Sequence, residues 1–225
     1  MNIALLFEQS GHFKKVLQKH GHNAKDFDIE NQFGETDYII DLFSYITETE
    51  MNIINKADLV IAFFPCTYFS RNNNMYFNRT CINFKNKTDD EIEMIIKERL
   101  KMRNYYTDVL LQMISKIKAP LIIENPASQY IKDVLKIEPV SMSRNKYGDY
   151  FMKPTYFFCY NGAYIDKSNM KKIQNPEQYS VYKANGAKSK PVRKGIERSL
   201  ISPLFIENLL QNTYVNGINV YYGSD

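Results

Sequence analysis

Apolar and polar positions along the chain alternate in two rhythms. Residues 3–7 form a short continuous apolar run that closes before Gly11, which predicts a buried first strand. Residues 12–19 follow with Phe13, Val16 and Leu17 on one side, predicting a helix that stops near Gly21. Residues 24–29 predict a second strand ending in the acids Asp26 and Asp28, and residues 38–46 are apolar around Asp41. Residues 57–64 give the clearest strand, apolar throughout and closed by Pro65. A polar stretch over 67–88 ends in Thr88 and Glu91, the spacing of a capping box. A long helix is predicted from there to about residue 116, with Ile92, Ile95, Ile96, Leu100, Val109, Leu110, Met113, Ile114 and Ile117 as its apolar stripe. Residues 120–123 predict another buried strand, closed by Glu124-Asn125-Pro126, and a helix is expected over 128–135. After residue 137 Tyr, Gly, Asn and Lys dominate and the periodicity fades until a last helix over 200–210, with Pro203 in its first turn.

Strands alternating with helices imply an α/β fold: a mostly parallel sheet with helices on both faces, Rossmann-like. The 225 residues suit one domain, with 137–195 expected as a small variable insert. The net charge of +4 permits nucleic-acid binding without requiring it. The distribution is more informative: Lys183, Lys188, Lys190, Arg193, Lys194 and Arg198 face only Glu197 in one segment. Cys66, Cys81 and Cys159 are odd in number and widely spaced, which argues against a disulfide framework or a zinc site. The first residues lack the basic start and long apolar core of a signal peptide, and no apolar run approaches the ~18 residues of a membrane span. A cytoplasmic protein with free thiols is therefore expected, of undetermined oligomeric state. His12, His20 and His22 read as surface residues around the first helix.

In an open α/β sheet, ligands bind beyond the carboxyl ends of the strands. Here those ends carry Phe7-Glu8-Gln9-Ser10-Gly11, Asp28, Pro65-Cys66 and Glu124-Asn125-Pro126. A thiol and a carboxylate on neighbouring strand ends are the groups needed for covalent attack on a pyrimidine. Pro65-Cys66-Thr67-Tyr68-Phe69-Ser70 resembles the nucleophile motif of cytosine-C5 DNA methyltransferases, and Glu124-Asn125-Pro126 resembles that family's Glu-Asn-Val/Pro motif. Residues 146–155, with Tyr147-Gly148 and Lys153-Pro154-Thr155, are similar to a segment of its small phage-type members. Residues 197–204 resemble the start of their last helix.

The resemblance implies a methyltransferase fold and transfer of a methyl group from S-adenosylmethionine to a cytosine swung out of double-stranded DNA. By position, Cys66 attacks the base, Glu124 contacts its ring nitrogen and amine, and Lys153 lies near it. Phe7, Gly11, Asp28, Asp41 and Pro65 are the implied cofactor residues; Ser70, Arg71, Arg79, Asn125 and Pro126 are the implied substrate residues. No metal is implied. One position departs from the family pattern: Gln9 stands where the first glycine of Phe-x-Gly-x-Gly is found, so obstructed or rerouted cofactor binding is expected. That departure keeps open a non-catalytic DNA-binding or regulatory relative. The short insert keeps open an enzyme acting on a free pyrimidine nucleotide.

Overall fold

The computed structural model describes residues 1–44, 46–70, 74–175 and 200–222. The basic segment 183–198, Arg71 and the start of the 197–204 motif lie outside the described residues.

The elements run β1 (Asn2–Leu6), α1 (His12–Lys19), β2 (Asn23–Asp28), β3 (Tyr38–Ile39), α2 (Glu48–Asn55), β4 (Leu59–Ala62), α3 (Asp89–Lys116), β5 (Leu121–Pro126), α4 (Gln129–Leu135), β6 (Val140–Ser143), β7 (Pro154–Tyr160), β8 (Ala163–Ile165), α5 (Pro203–Leu210), β9 (Thr213–Val215) and β10 (Ile218–Asn219). The main sheet has seven strands in the order β3-β2-β1-β4-β5-β7-β6. The first five of these are parallel, while β7 is antiparallel to both β5 and β6. A second sheet, β10-β9-β8, is antiparallel. The expected Rossmann-like α/β class is what the structure has.

The central strands β1, β4 and β5 carry continuous apolar runs because both faces of the sheet are covered. Alternation along each strand sends Ile3, Leu5 and Ile61 to one face, where they meet Phe13 and Leu17 of α1 and Phe205 and Leu209 of α5. Ala4, Leu6, Val60, Ala62 and Ile123 point the other way, to Leu110 and Met113 of α3, Ile131 of α4 and Ile54 of α2. Helix α3 starts as its sequence predicts: Thr88 and Glu91 each accept from the other's backbone N–H. Among the described residues, no helix is long and apolar enough to cross a membrane.

Two expectations change. The weak pattern after residue 137 predicts an insert, yet β6 and β7 from this stretch complete the main sheet, paired Glu124↔Phe157 and Met142↔Thr155. Their strand character comes from long-range pairing, which a local reading does not contain. His22, expected on the surface, is 5% exposed, and its Nδ1 lies 3.4 Å from the N-terminal amine.

Asp26 is the anomaly of the core. It sits in β2 fully buried, and neither carboxyl oxygen has a hydrogen-bond partner. Burial, and after it the charge of Glu8, pushes its carboxyl up to about 8. The folded chain thus holds a proton that the unfolded chain releases near pH 4, so stability falls as pH rises through this window and the whole loss is present above pH 8. Asp26→Asn mimics the protonated acid. It should leave Tm nearly unchanged at pH 3 and raise it at pH 9, by about 2–4 °C for each kcal/mol restored. Equal Tm differences at the two pH values in thermal melts would rule this account out.

Candidate active site

Parallel strands deliver their carboxyl ends to one edge, and a cleft of ≈ 530 Å³ lies there. Of the residues singled out in the sequence, it gathers Phe7, Asp28, Asp41, Pro65, Cys66, Glu124, Pro126 and Lys153. The structure brings these together from five strand ends and the β6–β7 connection.

At one end stands the thiol. After β4, Phe64 is anchored in the core, and Asn125 donates from Nδ2 to the Phe64 carbonyl at 2.9 Å. This bond fixes the turn that presents Pro65 and Cys66. The N–H groups of Phe69 and Ser70 both donate to the Cys66 carbonyl at 3.0 Å, so the chain turns back at once. Phe69 is fully buried between Phe64 and Tyr130, with ring centroids at 5.8 Å from each. The Phe of the motif is therefore a core anchor for the start of the loop.

Glu124 reaches this end from β5. Its Oε1 lies 3.2 Å from Nη1 of Arg144 and 3.9 Å from Nζ of Lys153. Arg144 is fully buried, and its Nε lies 2.7 Å from Oδ2 of Asp149, also fully buried. Asp149 Oδ1 accepts from the N–H of Ser202, the residue that caps α5. Gly148 permits the close approach: at φ 106°, an added Cβ would stand 3.1 Å from Leu204 and 3.3 Å from the Phe205 backbone. Arg144 was not among the residues read from the sequence. Its signal was a lone Arg just after a short apolar alternation, five residues before an Asp, in a stretch read as variable.

The other end is lined by Phe7, Glu8, Gln9, Ser10, Asp28 and Asp41, with Phe43, Phe64, Tyr105 and Tyr106 as an aromatic wall. Phe7 has φ 61°, unusual for a side-chain-bearing residue, and its ring packs edge-on against Phe64 at 5.4 Å. Asp28 accepts from the Glu30 N–H at 2.8 Å and from the Gln9 side chain. Asp41 accepts from the Phe43 N–H at 2.9 Å, shaping the loop beneath that ring.

Several expected positions fall elsewhere. Gly11 lies behind the wall, where its φ of 69° starts α1 and an added Cβ would meet Glu35 at 2.8 Å. Asn125 is fully buried and serves the Phe64 carbonyl, not the cleft. Ser70 closes the turn after Cys66 and is not in the lining. Arg79 is exposed and paired with Glu93 at 2.9 Å, outside the cleft. Among the described residues, no group of three or more His, Cys, Asp or Glu side chains is arranged to hold a metal ion.

No family model matches the chain, and no curated protein matches it. Two solved structures are similar in shape. One is a prophage-encoded E. coli protein, a candidate DNA modification methyltransferase, with TM-score 0.42, 14% identity, and 71% of this chain matched to 46% of that one. The other is a mutant of Spodoptera frugiperda DNMT2, with TM-score 0.37, 14% identity, and 81% of this chain matched to 55% of that one. This chain thus matches about half the length of each. Its fold assignment rests on its own strand order and directions.

Burial pushes the Cys66 thiol above its ordinary value, Lys153 pulls it down, Glu124 pushes it up, and Arg144 pulls it down least. The resting thiol is therefore neutral at pH 7, and its reactivity should follow these charges. Lys153→Met should slow alkylation of Cys66 by iodoacetamide at pH 8, and Glu124→Gln should speed it, each by roughly three- to tenfold. Mass spectrometry of the Cys66 peptide reads both rates. A change in the same direction for both variants would mean that access, not charge, controls the thiol.

Proposed function

We propose that the chain is a DNA cytosine-C5 methyltransferase that uses S-adenosylmethionine. The observation that carries this reading is the convergence of Cys66, Glu124, Arg144 and Lys153 at one end of a single cleft whose other end is an aromatic and acidic pocket. Cys66 Sγ adds to C6 of the cytosine, forming an S–C bond and moving ring electron density toward C5 and N3. Glu124, held in place by Arg144, faces N3 and the exocyclic amine, where that density is stabilised by proton donation or hydrogen bonding. Lys153 and Arg144 balance the negative charge of Glu124 and favour the thiolate. After substitution at C5, loss of the C5 proton expels the thiolate and regenerates Cys66.

The residues present suit the cofactor in size and kind. A cleft of ≈ 530 Å³ falls in the range of small-molecule sites. Phe7, Phe43, Phe64 and Tyr106 offer ring faces and edges to a flat base, and Asp28 and Asp41 offer acceptors to hydroxyl or amine groups. When bound, S-adenosylmethionine supplies the electrophilic methyl group. Gln9 narrows the wall without closing it, since the cleft persists with Gln9 in its lining. Double-stranded DNA is the inferred substrate, because a pyrimidine ring face is unreachable inside the stack and flipping exposes it.

A second reading, a DNA-binding relative without activity, draws on Gln9, whose side chain engages Asp28 where the cofactor would need it. The two readings separate in one experiment. A duplex carrying 5-fluorocytosine blocks loss of the C5 substituent, so with cofactor the wild-type protein should form an SDS-stable adduct that Cys66→Ala abolishes. Glu124→Gln should slow adduct formation by roughly 10²- to 10³-fold. Absence of any Cys66-dependent adduct defeats the methyltransferase reading. An adduct with the free fluorinated nucleotide and none with duplex would redirect it to a free pyrimidine nucleotide.

A further inference from the structure

The turn between β1 and α1 carries two acceptors without donors. Glu8 is 6% exposed and lines the cleft. Its Oε1 accepts from the Ser10 hydroxyl, and the N–H groups of Gly11 and His12 favour its charged form, but Oε2 has no hydrogen-bond partner among the described residues. Next to it, Gln9 also lines the cleft. Its side chain bonds the Asp28 carboxylate, and its buried Oε1 likewise has no partner. Neighbouring buried acceptors of this kind are rare unless a donor arrives from elsewhere.

The side-chain donors nearby are already engaged. Lys14 Nζ donates to the Glu35 carbonyl and lies 3.2 Å from Asp37. His12 Nδ1 is 2.7 Å from the Ile201 carbonyl. Arg144 and Lys153 are turned to Glu124 at the far end. Asp28, in the same lining, stands beside Gln9. The turn end of the cleft is rich in acceptors and poor in free donors. The group that complements it is a compact cation with several N–H donors, such as a primary ammonium.

We propose that Glu8, supported by Gln9, is the specificity-determining acceptor for the ammonium group on the tail of an adenosyl ligand. This deepens the cofactor reading above and rests on it. It also gives the departure at Gln9 a role: the turn trades the close backbone approach of a glycine for side-chain acceptors that recognise the ligand's amine.

Calorimetry on the full chain tests this with three nucleosides: S-adenosylhomocysteine, its N-acetylated form, and 5′-methylthioadenosine, which lacks the amino-acid tail. Wild-type protein should bind S-adenosylhomocysteine roughly tenfold or more tightly than either of the others, the scale of one charge-assisted hydrogen bond. Glu8→Gln should remove most of that advantage while leaving 5′-methylthioadenosine unchanged. Equal wild-type affinity for the free-amine and acetylated ligands overturns the proposal while the cofactor reading stands, and needs no variant to fold. A Glu8→Gln protein that folds and retains the wild-type preference overturns it as well. If wild-type protein binds none of the three, the cofactor reading falls, and this proposal with it.

Discussion

The structure depends on one buried cation. Arg144 is fully enclosed, and an enclosed guanidinium is tolerated only when its charge is matched. Glu124 at 3.2 Å and Asp149 at 2.7 Å supply that match. Because removing one partner of such a set strands the others, the cost is about 3–5 kcal/mol, a large share of a domain's stability. The set also has direction. Asp149 takes the Ser202 N–H, while Asn175 donates to the Gly148 carbonyl and the Ser202 hydroxyl. The catalytic candidate Glu124 is thereby tied through one arginine to the cap of the last helix, so C-terminal packing and active-site geometry are one problem.

The sheet imposes the rest. Both its faces are covered by helices, so side chains along the central strands β1, β4 and β5 are mostly apolar and their polar groups gather at the strand ends. Asn125 shows how tightly those ends are fixed. It is itself buried, yet it spans from β5 to the carbonyl of Phe64 and sets where Cys66 emerges. The thiol and the carboxylate are neighbours because β4 and β5 are neighbours, in the register Ala62↔Ile123.

This explains what was legible in the sequence. Continuous apolar runs mark strands covered on two faces, so β1, β4 and β5 are readable, and the strand-end residues Cys66 and Glu124 with them. The capping box at Thr88 marks the start of α3. The same signal at Thr47 and Glu50 opens α2, but that helix buries only Ile54, so its sequence carries little apolar stripe to mark it. Strands β6 and β7 were hidden for another reason: their identity lies in antiparallel pairing across the sheet, and their Ser, Thr and Tyr residues do not announce it. Arg144 was hidden with them. At Gly11 the positive φ belongs to a helix start, which satisfies the same local pattern as a cofactor turn.

Taken together, the two ends of the cleft have different character. At the Cys66 end, Arg144 and Lys153 are matched by Glu124 and Asp149, so cations and anions balance. At the turn end, Glu8 and Asp28 have carboxyls raised by burial, and no unengaged cation faces them among the described residues. Burial raises these acids by penalising their charged forms, and a cationic ligand group would favour those forms. Cys66 lies in the lining of the same cleft, its thiol neutral at rest because burial outweighs the pull of Lys153. A thiol held neutral by burial is protected from stray electrophiles, so the enclosure of the cleft serves restraint as well as recognition.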